Sequence, residues 1–273
     1  MKVTKSSPLV LAVILACTST LPAQLPSIDK EPWENYFIAL KERKFQFGIT
    51  KDGEAVFYPL TKRGEIISER NPIIFKIEVL ESKSDGKFTS KKIVPGSLKS
   101  DQPAALNPAK PVTYSGSVTG DATFEITITP SRDGFAITGK ITGKGTLTDN
   151  LHVAISMGLR PYPKDTTRTA VETKAFEQRV RRDKFQAIIA SGNKKAYDFP
   201  DGANLHIDMP QGVESLSMKS EGYDSTEFTV SVGGSSKIMF EDKNQIIFDG
   251  VDFQWIIPTD ANPAIDVMKI SAK

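Results

Sequence analysis

Residues 124–141 read FEITITPSRDGFAITGKI, and their alternation decides the fold. Phe124, Ile126 and Ile128 take every second position and Glu125, Thr127 and Thr129 fill the gaps. An extended chain therefore puts the large apolar side chains on one face and the polar ones on the other. Pro130-Ser131-Arg132-Asp133-Gly134 interrupts the pattern with residues that favour turns. Two long antiparallel strands joined by this reversal are expected, over residues 114–129 and 134–147. Gly139, Gly143 and Gly145 fall in the second strand, where glycines mark a bulge or a sharp twist. No Lys-Ser/Thr pair closes them into a phosphate loop and no helix is expected to follow.

The same arithmetic recurs on both sides. Phe45, Phe47 and Ile49 alternate with Lys44, Gln46 and Gly48; Lys51-Asp52-Gly53 then supplies a turn, and residues 55–60 return as the second arm of a hairpin. Phe75, Ile77 and Val79, and later Phe228, Val230 and Val232, repeat the half-buried pattern. Shorter strands are expected at 151–157, 185–189, 204–209, 215–218, 238–240, 245–248, 253–257 and 265–270. Roughly twelve to fifteen strands separated by turns imply antiparallel sheets stacked face to face, since most connections are too short for parallel crossovers. The expected class is all-β: one large antiparallel β-sandwich, in the form of a super-sandwich or of two packed sandwiches, with at most one short helix. That helix is placed within residues 166–182, where Val171, Phe176 and Val180 are loosely helical in spacing.

The N-terminus has a different character. Lys2 and Lys5 precede an apolar run at residues 8–16 and a polar stretch ending at Ala23, the layout of a secretory signal peptide. The run is half the ~18 residues that a membrane span needs. Cleavage after Ala23 frees a chain without cysteine; alternatively Ile14-Leu15-Ala16-Cys17 resembles the bacterial lipobox, which would make Cys17 a lipidation site, although Leu15 departs from the small residue usual there. Residues 24–32, with Pro26 and Pro32, read as a linker, and 33–273 as the β-domain, subdivided if at all near 160–185. The whole chain carries 35 Lys and Arg against 33 Asp and Glu. Both leader lysines leave with the leader, so the mature chain is formally neutral and gives no electrostatic case for nucleic acid or anionic lipid. With one cysteine, an intrachain disulfide and a cysteine zinc site are excluded.

Three constellations could carry chemistry. His152 shares a strand face with Ala154 and Ser156, opposite Leu151, Val153, Ile155 and Met157; small neighbours would leave room for a ligand, and the ordinary alternative is an exposed polar face. His206-Ile207-Asp208, on an expected strand, would put imidazole and carboxylate on one face, where the acid could orient the base; a solvated face would look the same. Asp249, Asp252 and Trp255, around Gly250, could hold a sugar between carboxylates and an indole, or simply be a hairpin with the indole in the core. Arg179, Arg181, Arg182 and Lys184 form a basic run diluted by Glu172, Glu177 and Asp183.

The chain has no Gly-x-Ser-x-Gly elbow, zinc-protease motif, dinucleotide fingerprint or Walker loop. No metal and no cofactor is called for. The expectation is an exported, non-catalytic structural, adhesion or glycan-binding module of a bacterial envelope or secretome, with polysaccharide or another envelope protein as partner, no nucleic acid, and the membrane touched only through a lipid on Cys17. The alternative is a carbohydrate-active enzyme on a super-sandwich of the general kind seen in sugar epimerases and accessory domains of polysaccharide lyases. There His152 or His206 would act as acid and Asp208 as base or orienter.

Overall fold

The computed structural model describes residues 27–67, 73–162, 167–189, 194–198, 205–234, 236–241 and 250–273. The leader, with Cys17, the expected strand at 245–248 and Asp249 lie outside these residues. The first half contains β1 (Tyr36–Lys41), β2 (Phe45–Thr50), β3 (Ala55–Pro59), β4 (Ile74–Ser82), β5 (Phe88–Lys91), β6 (Lys99–Ser100), β7 (Ala105–Leu106), β8 (Val112–Val118) and β9 (Ala122–Ser131). Then come β10 (Gly134–Gly143), β11 (Asn150–Leu159), α1 (Ala170–Val180), β12 (Lys184–Ile188), β13 (Lys194–Asp198) and α2 (Leu205–Asp208). The chain ends with β14 (Ser215–Ser220), a 3-10 turn at Glu221–Tyr223, β15 (Thr226–Val232), β16 (Ile238–Phe240), β17 (Val251–Ile256) and β18 (Met268–Ala272).

The strands build three sheets, and the all-β antiparallel sandwich expected from the alternation is what they form. A nine-stranded sheet runs β13-β12-β14-β15-β18-β10-β9-β8-β6. Against it lie a four-stranded sheet, β3-β2-β1-β7, and a five-stranded sheet, β16-β17-β11-β4-β5. The described pairings are antiparallel except for β1 with the two-residue β7. Their shared interior is one continuous core, as expected when amphipathic sheets cover each other's apolar faces. Its centre is Phe135 of β10: its ring stacks on Phe47 at 4.2 Å and lies 6.0 Å from Phe45, 6.2 Å from Phe57 and 6.2 Å from Phe75. One residue of the large sheet thus touches both smaller ones.

The decisive hairpin forms between β9 and β10, with a tighter turn than the sequence suggests; the single strand expected over 114–129 is instead two strands, β8 and β9, which fold back on each other through a turn at Gly120 and Asp121, both at positive φ. β9 continues through Pro130, and Ser131 pairs with Gly134, so Arg132 and Asp133 alone make the reversal. Proline is tolerated at that strand end because β8 reaches only to Ile128 on the other flank. The register shifts between Ile141 and Gly143, the bulge that the glycines announce. Gly145 then takes φ +59°, and a Cβ there would sit 2.1 Å from the Gly120 carbonyl oxygen, so the crossing from β10 to β11 requires glycine.

Two expectations are corrected. The strand expected at 204–209 is absent from its described residues, 205–209: Leu205–Asp208 is one helical turn, a second helix where at most one was expected. Leu205 and Met209 are buried and Ile207 is 67% exposed, the i, i+4 pattern of a helix rather than the i, i+2 pattern of a strand. The expected helix exists as α1, capped by Thr169 and Glu172 in a reciprocal capping box. Only Phe176 and Val180 of its apolar residues are buried, while Val171 is 79% exposed.

The excursion carrying α1 is tied to the sandwich by a buried polar knot. Tyr162 Oη donates to Asp183 Oδ2 at 2.8 Å, Ser220 Oγ donates to the same oxygen, and the Glu221 N–H donates to Asp183 Oδ1 at 2.9 Å. Tyr162 also meets Phe176 edge-on, with ring centroids 5.0 Å apart.

Candidate functional site

The outward face of the five-stranded sheet is the best-developed candidate surface. In β11, Leu151, Val153, Ile155 and Met157 point into the core, as their spacing requires, and His152, Ala154, Ser156 and Gly158 take the other face, where His152 is partly exposed while Ala154, Ser156 and Gly158 are covered by their neighbours. Register then fixes their companions. Ser156 pairs with Lys76 and Gln254, Ala154 with Glu78, His152 with Leu80, and Gly158 with Asp252. Ser90 of β5 pairs with Leu80, and Met239 of β16 pairs with Gln254.

These side chains form a hydrogen-bonded row across four adjacent strands. Ser90 Oγ donates to Glu78 Oε1 at 2.9 Å, Ser156 Oγ reaches Glu78 Oε2 at 3.5 Å, and Gln254 Nε2 donates to Ser156 Oγ at 2.9 Å. The row is bracketed by apolar groups: Phe88 on the β5 edge is 46% exposed and Met239 on the β16 edge is 37% exposed. Four strand spacings separate those edges, about 19 Å. Of the five exposed large hydrophobic side chains among the described residues, Phe88 and Met239 are the two on the rims of this face.

The two ends of the face differ. At one, Arg160 forms a forked ion pair with Asp252, its Nε 3.3 Å from Oδ1 and its Nη2 on Oδ2. Gly158 makes room for it, because a Cβ there would come within 2.3 Å of Asp252 Oδ1. At the other end the Phe88 ring meets the His152 ring edge-on at 6.0 Å. Burial pushes the His152 pKa down, since desolvation penalises the charged ring.

The sequence candidates are only partly brought together. His152 lies on this face as expected. His206 and Asp208 do not share a face, because residues two apart on a helical turn diverge; His206 Nδ1 instead lies 3.2 Å from the Phe240 carbonyl oxygen. Phe240 pairs with Phe253 and that residue with Met157, so His206 is roughly 17 Å along the strands and about 10 Å across them from His152. Neither histidine bonds a carboxylate among the described residues. Asp252 and Trp255 are three apart on a strand and so point oppositely: Asp252 is outward and ion-paired, while Trp255 is fully buried with no hydrogen-bond partner for Nε1. The indole is core and not a platform. Of the basic run, Arg182 pairs with Glu221 at 3.2 Å and Arg179 lies over the Tyr162 ring at 5.1 Å.

Sequence reasoning missed Glu78, Phe88, Ser90, Arg160 and Gln254. Alternation put Glu78 on a polar face, but it says nothing about which polar faces align. Among the described residues no His, Cys, Asp and Glu cluster suits a metal ion, and no helix is long and apolar enough to cross a membrane.

The chain matches no protein-family model, and no curated protein matches it in sequence. A solved structure with some likeness is a galactose mutarotase-like protein from Lactobacillus casei ATCC 334, at TM-score 0.41 and 9% identity, covering 86% of this chain and 99% of that one. At that level the fold rests on the strand pairing described above.

Proposed function

We propose that this is an exported, non-catalytic β-sandwich protein that binds a hydroxyl-rich ligand, a glycan of the bacterial envelope or secretome, on the outward face of its five-stranded sheet. The observation that carries the reading is the Ser90–Glu78–Ser156–Gln254 row between Phe88 and Met239. Carboxylate, amide and hydroxyl groups held in line can exchange hydrogen bonds with successive sugar hydroxyls, and apolar rims can lie against sugar C–H faces. The separation of His152 from His206 and Asp208, and the lack of a carboxylate partner for either histidine among the described residues, support binding over acid-base turnover. Export rests on the leader's charge and apolar layout.

The test is binding of the chain from Gln24 onward to a panel of neutral polysaccharides, by pull-down and then calorimetry. Saturable binding to at least one is expected. Phe88→Ala and Gln254→Ala should each weaken it about tenfold, a loss of ~1.4 kcal/mol. Phe88 is exposed, so its removal should leave thermal unfolding nearly unchanged. Absence of binding across the panel, or affinities indifferent to both substitutions, would overturn the reading.

A further inference from the structure

A second hollow lies where two strand edges outrun their partners. β18 pairs with β10 only over Gly134, Phe135, Ala136 and Ile137, and β17 pairs with β11 only from Ala154 onward. Beyond those ends the later half of β10 and the start of β11 face each other across a cleft of about 290 Å³, closed on one side by Ile257, Pro258 and Thr259. Gly139 lets the two strands come this close, since a Cβ there would sit 2.6 Å from Ile126 Cδ1 and 3.1 Å from Val153 Cγ1.

The lining has one sign of charge. It contains Lys140, Lys144 and His152, with Asn150 and Thr259, and no Asp or Glu. Glu125 pairs with Lys140 at 3.0 Å from outside the lining, whereas Lys144 Nζ meets the Asn150 side-chain oxygen at 3.4 Å. Lys144 is therefore the cation that no carboxylate neutralises among these contacts. His152 lines the cleft, and its Nδ1 is buried without a hydrogen-bond partner. Burial pushes the ring's pKa down and so favours the neutral form, which donates one N–H.

We propose that this cleft binds a small oxyanion, a carboxylate or sulfate group either free or carried on a sugar, through the Lys144 ammonium and the His152 ring N–H. The site is separate from the hydroxyl-reading row, with His152 at their boundary, and each can fail without the other. Charge-assisted hydrogen bonds suit a lone ammonium with a neutral donor beside it, and the absence of lining carboxylates removes the competitor an anion would face.

The chain from Gln24 onward would be titrated calorimetrically at pH 7 and about 20 mM salt, low enough to limit screening, with sodium sulfate, glucuronate and, as neutral control, glucose. Saturable binding of sulfate or glucuronate and none of glucose is expected. Binding of both probes marks an oxyanion reader, and binding of glucuronate alone marks an acidic-sugar site; either supports the assignment. Lys144→Met and His152→Phe should each weaken the bound probe at least tenfold, while Lys219→Met, which removes an exposed lysine on β14, should leave it unchanged. Lys144 is exposed, so its variant decides the matter even if His152→Phe fails to fold. Failure of both anions to bind, or equal losses in Lys144→Met and Lys219→Met, would reject the site.

Discussion

Phe135→Ala should lower stability by about 4 kcal/mol, the upper part of the range for removing a fully buried aromatic ring, and bring the thermal midpoint down by roughly 10 °C in a chain of this size. The size of the effect follows from position. Phe135 is 1% exposed and its ring contacts Phe45, Phe47, Phe57 and Phe75, residues of both smaller sheets. Alanine there opens a cavity between three sheets whose β-ladders are already satisfied, so the backbone has little freedom to collapse into it. Phe135→Leu should recover more than half of the loss. Urea unfolding followed by tryptophan fluorescence and by circular dichroism gives both numbers, and a cost under about 1 kcal/mol would show that the three sheets do not share one core.

The second large effect belongs to Asp183, which is 1% exposed and accepts hydrogen bonds from Tyr162, Ser220 and the Glu221 backbone. Asp183→Ala leaves those three donors without their acceptor inside the protein. The expected cost is about 3 kcal/mol, since orphaned buried donors lose the full benefit of solvation. Asp183→Asn keeps an acceptor oxygen and should cost less than half as much. Burial raises the Asp183 pKa, outweighing the hydrogen bonds that favour the carboxylate. The folded state therefore holds this proton where the unfolded chain has released it. The associated stability is complete below the unfolded carboxyl pKa and is lost as pH rises through the folded one. Against wild type, Asp183→Asn should thus look relatively worse in acid and relatively better near neutrality. Chemical unfolding of both proteins at several pH values between about 3 and 8 checks the sign, and a difference that runs the other way would contradict a raised pKa.

The core and the site were legible in the sequence to different depths. Alternation of Phe124, Ile126 and Ile128, and of Phe45, Phe47 and Ile49, gives strands whose apolar faces need covering, and every one of those side chains is buried. The same rule misled at residues 204–209, where Leu205, Ile207 and Met209 satisfy a strand pattern but a buried Leu205–Met209 pair on one helical turn satisfies the packing. Apolar residues at three alternate positions cannot separate the two periods over so short a stretch. That error carried the expected pairing of His206 with Asp208 with it.

Local order along the chain settled what each strand buries, because a side chain's face depends only on its parity and its neighbours' polarity. It settled the β-class, the hairpin at Pro130–Gly134 and the bulge before Gly145. Tertiary structure alone decided which strands lie side by side, and therefore that Ser90, Glu78, Ser156 and Gln254, up to 176 positions apart in a chain of 273, make one row. It also decided that β17 and β18 stop short, opening the cleft beside His152 and Lys144. Register between distant strands is set by the packing of the whole core, and no local window of sequence contains that information.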